Sequence, residues 1–98
     1  MAEYRVSARA RSQLLDIYDF SVASFGVYQA EAYFAGLERT FDLLANFPRI
    51  GQLVEELAPA HRRFRFQSHS ILYTEERDHV LIRAIYHRAQ DIGPHLFD

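Results

Sequence analysis

Residues 62–88 read RRFRFQSHSILYTEERDHVLIRAIYHR, and the fold turns on this stretch. Apolar and polar residues alternate along it, β-branched and aromatic residues dominate, and the charged cluster Glu75-Glu76-Arg77-Asp78 interrupts it once. Alternation at period two sends successive side chains to opposite faces of a pleated strand. The stretch therefore predicts strands over 61–67, 69–74 and 79–87 joined by tight turns. In the last two strands both faces carry apolar side chains: Ile71 and Tyr73 against Leu72, and Val80, Ile82 and Tyr86 against Leu81 and Ile85. Such strands occupy central positions, with helices on one side and further cover on the other.

Upstream of the strands the period changes to helical. Tyr4-Arg5-Val6 forms a short first strand, and Ser7 is placed to cap a helix, its hydroxyl accepting from a first-turn amide. Ala10, Leu14, Ile17, Tyr18, Ser21 and Phe25 then recur at intervals of three and four, which makes one apolar stripe ending at Gly26. A second helix starts near Val27 or Tyr28, carries Ala30, Tyr33, Phe34, Leu37, Phe41, Leu44 and Ala45 on one face, and stops before Pro48. So short a connection folds the two helices into an antiparallel hairpin. Phe47 to Gly51 is a turn, and Gln52 to Ala60 a surface connection with room for a short helical turn ending at Pro59. An isolated strand at Tyr4 would leave its backbone unsatisfied, so it is expected to pair with a member of the C-terminal meander. The tail from Gln90 contains Gly93-Pro94, which breaks any helix. The expected fold is α+β: an N-terminal strand and an antiparallel helical hairpin packed on a small antiparallel β-sheet, with residues 1–98 as a single domain.

Composition narrows the function classes. Without cysteine there is no disulfide scaffold, thiol nucleophile or cysteine-held metal, which fits a reducing cytoplasm. No run approaches the roughly 18 apolar residues of a membrane span, and Met1 to Arg5 lacks a signal-peptide core. The net charge of −2 hides an asymmetry: residues 1–60 carry five arginines against eight acids, residues 61–98 six against five. The segment His61 to Ser70 holds three arginines and no acid, a patch suited to an anionic partner. All 11 cationic side chains are arginine.

Few residues carry an obvious chemistry. In Arg62-Arg63-Phe64-Arg65-Phe66 the alternation puts Phe64 and Phe66 on one face and Arg63 and Arg65 on the other. Two readings stand: guanidinium forks aimed at phosphate or carboxylate, or a charged face that keeps the strand soluble. His87 and Arg88 close the last strand, with Arg83 on the face shared with His87. A histidine among arginines has the means for acid–base chemistry on a held phosphate, although a strand-end histidine is more often structural. The histidines at 61, 69, 79, 87 and 95 show no i, i+4 pair and no clustered carboxylate, so no metal or other cofactor is expected. Tyr4, Tyr18, Tyr28, Tyr33, Tyr73 and Tyr86 read as packing residues with polar tips.

The order of elements resembles the RelE/ParE superfamily of toxins from bacterial toxin–antitoxin operons, and most closely its ParE branch. The likeness rests on Tyr4-Arg5-Val6-Ser7 with Ala10; Phe25-Gly26 followed by Gln29-Ala30 and Tyr33; Leu44 to Pro48 followed by Gly51; Arg62-Arg63-Phe64; Ser68-His69 with Ile71 and Tyr73; and His87 with Asp91 and His95-Leu96. The resemblance implies a toxin that binds and poisons DNA gyrase without catalysis of its own, neutralised by a ParD-like antitoxin whose acidic tail folds as it wraps the toxin. Target contacts are then expected at Arg63, Arg65, Arg83, His87 and Arg88, and antitoxin contacts at Tyr18, Phe25, Tyr28, Tyr33 and Arg62. No membrane association and no sequence-specific DNA binding by the toxin alone are expected. The rival is the RelE branch, ribosome-dependent endoribonucleases that often end in a tyrosine. Here the tail has no tyrosine and the chain no lysine, which weighs against RNase activity. A third reading is a non-toxic remnant that keeps only its antitoxin. Ala84 stands where many relatives have an arginine, and Gln67 where glycine is common.

Overall fold

The fold starts from a cap that serves two elements. In the computed structural model, which describes residues 2–87, the Ser7 hydroxyl accepts from the Ala10 amide at 3.1 Å and donates to the Arg83 carbonyl at 3.0 Å. One side chain thus closes the first turn of a helix and fastens it to the strand beneath. The elements in order are β1 (Tyr4–Val6), α1 (Ala8–Phe25), α2 (Val27–Asn46), β2 (Gln52–Val54), β3 (His61–Phe66), β4 (His69–Glu75) and β5 (Val80–His87). Both helices run where the sequence puts them. Gly26 separates them with φ 91° and ψ 164°, a region open essentially to glycine alone. Its amide bonds Val22 O and its carbonyl accepts from Ala30, so one residue ends α1 and starts α2.

The sheet order is β1-β5-β4-β3-β2. The first strand does join the C-terminal meander, but in parallel with β5, pairing Tyr4 with Val80 and Val6 with Ile82. The sheet is therefore mixed rather than wholly antiparallel: a chain that leaves β1, climbs the helical hairpin and returns through the meander brings β5 back in the direction of β1. Gln52 to Val54 corrects the expected loop with its helical turn. They form an edge strand on β3, with Leu53 opposite Arg62, and three residues are too few for their alternation to stand out in the sequence.

Both helices pack on one face. Leu37, Phe41 and Leu44 of α2, with Ala10 of α1, meet Ile71, Tyr73, Val80, Ile82 and Ile85 in the main core. Each such aliphatic side chain, fully buried, contributes about 1.5–3 kcal/mol. Tyr18 and Phe34 meet edge to face at 5.2 Å between ring centroids. The opposite face holds a smaller cluster of Val54, Leu72, Ala84 and Tyr86, with Leu57 packed on it.

A bulge in β5 decides which residues face which way. Tyr73 pairs with Ile82, but the next pair is Leu72 with Ala84, so Arg83 is the extra residue. Strict alternation would separate Ile85 from Val80 and Ile82. The bulge instead returns Ile85 to the helix side and sends Ala84 and Tyr86 to the other. Arg83 consequently does not share a face with His87. Its guanidinium donates to Thr74 Oγ1 at 3.0 Å and lies 3.7 Å from Glu76, away from the helices.

Candidate partner-binding groove and basic sheet face

A groove of about 710 Å³ opens where the hairpin overhangs the far ends of β4 and β5. Its helical wall is Ile17, Phe20, Phe25 and Tyr33, and its floor includes His69, Ile85 and His87. Phe20 and Phe25 are 67 % and 62 % exposed, a large apolar surface for a helix to leave in water. The overhang is fixed on both sides. Gln13 of α1 accepts from the Ile85 amide at 2.8 Å. From α2, the Tyr33 hydroxyl lies 2.7 Å from His69 Nδ1 and donates to the Phe66 carbonyl at 3.3 Å.

His69 and His87 are direct cross-strand partners, their rings 5.8 Å apart and edge to face. Partial burial of His69, and then the neighbouring His87, hold its pKa below the usual histidine value. Burial raises the Tyr33 phenol in the same way. The groove therefore carries the neutral His69 imidazole and aromatic carbon near neutral pH. Asp16 is the one carboxylate on its wall among the described residues. No group of three or more potential metal ligands occurs among them either.

The sheet face away from the helices is different in kind. Arg63 pairs with Leu72, Arg65 with Ser70, and Ser70 in turn with Tyr86, so the side chains of Arg65, Ser70 and Tyr86 form one row across three strands. Arg63 is held by Gln52 of the edge strand at 2.9 Å. Neither Arg63 nor Arg65 has a carboxylate partner among the described residues.

The residues expected at an interface thus divide. Phe25 and Tyr33 line the groove; Tyr28, 88 % exposed, stands at the start of α2 outside its wall; Tyr18 packs against Phe34 in the hairpin. Arg62 points to the helix side and donates to the carbonyls of Gly51, at 2.9 Å, and Arg49, which ties down the turn after α2. Among target candidates, Arg63 and Arg65 lie together, Arg83 is engaged by Thr74 and Glu76, and His87 lies at the groove. Arg88 and the tail lie outside the described residues. Ile17 belonged to the helical stripe without being singled out, and Phe20 fell off that stripe altogether. A large aromatic displaced from the apolar face of an amphipathic helix was the available signal.

No helix among the described residues is long and apolar enough to cross a membrane. Comparison with known proteins agrees with the geometry. A family profile described as "ParE toxin of type II toxin-antitoxin system, parDE" matches residues 4–92. "Toxin ParE1" of Caulobacter vibrioides is 34% identical over 96 residues, covering 98% of this chain and 99% of that protein. "Toxin ParE1" of Mycobacterium tuberculosis is 33% identical over 89 residues, covering 89% and 91%. A solved structure titled "Chromosomal ParDE TA system from P. aeruginosa" superposes with a TM-score of 0.75 at 18% identity, covering 89% of this chain and 96% of that one, and speaks for the fold. With the profile spanning nearly all of the strands and helices described above, the chain belongs to the ParE toxin family of type II toxin–antitoxin systems.

Proposed function

We propose that this chain is a gyrase poison held in check by a ParD-like antitoxin, acting by binding rather than by catalysis. The family match over residues 4–92 carries the reading. The groove supports its antitoxin half. An initially disordered antitoxin tail that folds on binding must recover its ordering cost from apolar burial, and Ile17, Phe20, Phe25 and Tyr33 form a wall on which an amphipathic helix can bury its apolar stripe. Phe25, Tyr28 and Tyr33 serve as antitoxin contacts, and Arg63 and Arg65 face the target. Support for a binding rather than an RNase mechanism comes from the placement of basic residues: Arg83 is already engaged by Thr74 and Glu76, and His87 lies at the groove, apart from Arg63 and Arg65.

The test is a supercoiling assay with purified gyrase. The protein is expected to abolish supercoiling and to build up cleaved DNA, and pre-incubation with a ParD-like antitoxin to restore activity. Unchanged supercoiling at large molar excess would sink the gyrase reading. Phe20→Ala is expected to weaken antitoxin binding at least tenfold with the fold intact; unchanged affinity would move the antitoxin elsewhere.

A further inference from the structure

The sheet ends on an edge that the fold leaves open. β2 is its last strand, and no strand lies beyond it among the described residues. The hairpin between β3 and β4 sets which backbone groups face that edge. Its two-residue turn, Gln67-Ser68, makes Phe66 and His69 a hydrogen-bonded pair, and antiparallel bonding alternates from there. Phe64 and Arg62 therefore bond to β4, while Arg63 and His61 turn to Gln52 and Val54 of β2. Leu53, between those two, is left with its N–H and C=O directed outward. Its side chain is 45 % exposed on the helix side, where Arg62 opposite it ties down the turn at Arg49 and Gly51. Leu43 and Phe47 at the end of α2, and Ile50 in that turn, are exposed as well. An open strand edge beside four exposed apolar side chains is a template for pairing, and no lysine or proline within β2 blunts it.

We infer that β2 pairs antiparallel with β2 of a second copy of this chain, about a two-fold axis at Leu53. Such an interface uses one patch twice, so the patch must complement itself. Pairing Leu53 with its own copy exchanges the two outward backbone groups as hydrogen bonds. The same register carries Arg49, whose side chain is 78 % exposed, towards the exposed Glu55 and Glu56 of the second copy, and does so twice. The axis stands normal to the sheet, so the two Leu53 side chains meet on the helix side and the two sheets become one. A helical partner fits this edge less well, because its backbone groups are already bonded and have nothing to offer Leu53. The groove lies at the other end of α2, whose 20 residues span roughly 30 Å. The dimer therefore leaves both grooves open.

The test exploits the absence of cysteine from the chain. Leu53→Cys supplies a single thiol, and in a hydrogen-bonded antiparallel pair the two Cα atoms lie about 5.5 Å apart, within disulfide reach. Sedimentation equilibrium of the wild-type chain is expected to show a concentration-dependent monomer–dimer equilibrium. Mild oxidation is expected to trap L53C as a covalent dimer but not Leu15→Cys, which places an exposed thiol on α1. Leu53→Lys is expected to weaken dimerisation at least about tenfold and to leave binding of a ParD-like antitoxin unchanged, with thermal unfolding as the check on fold. Wild type that stays monomeric at every concentration overturns the inference. So does a dimer trapped as readily through Leu15→Cys, or one that Leu53→Lys does not weaken. Loss of antitoxin binding in folded Leu53→Lys would assign the edge to the antitoxin and overturn the second copy as its occupant.

Discussion

Two buried tyrosines stand on opposite faces of the sheet, and their surroundings could hardly differ more. Tyr73, 0 % exposed, is wired into the helix side: its hydroxyl accepts from the Gly51 amide at 2.9 Å and donates to the Pro48 carbonyl at 2.8 Å. It pins the turn that leaves α2, and Gly51 must be glycine because a Cβ there would collide with the tyrosine ring. Tyr86, almost as buried, has its hydroxyl among the side chains of Arg63 and Ser70, which oppose the rise that burial imposes on its phenol. Equal burial of the same side chain therefore does not mean an equal role. On the helix side the phenol fastens backbone groups of a turn; on the other it sits among polar side chains, where Arg63 is held by Gln52 and Arg83 by Thr74.

The largest expected effect tests the faces themselves. Leu37→Ala, beneath α2, should cost about 2–5 kcal/mol of unfolding free energy in urea titration, as deletions of fully buried leucines do. Arg65→Gln on the face away from the helices should stay within about 0.5 kcal/mol of wild type. Comparable losses in both would abolish the distinction. The tyrosine pair sharpens it further. Tyr73→Phe strands a buried Gly51 amide and should cost about 1–3 kcal/mol, whereas Tyr86→Phe, which loses only the side chains of Arg63 and Ser70, should cost less. A matching loss at Tyr86 would erase that difference.

A smaller effect belongs to the shared cap. Ser7→Ala removes the acceptor for Ala10 and the donor to Arg83, and about 1 kcal/mol should be lost; unaltered stability would mean that the first turn of α1 holds without it. The smallest effect is that of pH. The folded-state pKa of His69 lies below its ordinary value, so between the two values the unfolded chain binds more protons than the folded one. Stability should be full above about pH 6.5 and fall as pH drops through that value towards the folded pKa. His69→Gln should flatten this part of the profile in thermal melts from pH 7.5 to 5, and an unchanged profile would assign the dependence to other groups.

Much of this could be predicted from local pattern. Helix spans, the Ser7 cap and the Gly26 break depend on neighbours within four residues, and the opposite facing of Phe64 and Arg63 depends only on the pleat. The site was less legible. Phe25, Tyr33, Arg63 and Arg65 stand out in the sequence by residue type at regular spacing, and the first two line the groove. Phe20 does not stand out, because its place on the groove wall comes from an overhang created by tertiary packing. Arg83 was misplaced because strict alternation has no means of knowing about an inserted residue.

The sequence by itself determined two helices, the three long strands and which of the β3 side chains are cationic on one face. Each follows from interactions between residues close along the chain. Only the tertiary structure decided that β1 lies parallel to β5, that Gln52 to Val54 is an edge strand, and that the bulge at Arg83 sends Tyr86 to the face away from the helices beside Ser70. Pairing direction and register come from closing the core around the helical hairpin, and a one-residue shift in register exchanges the two faces for every residue beyond it.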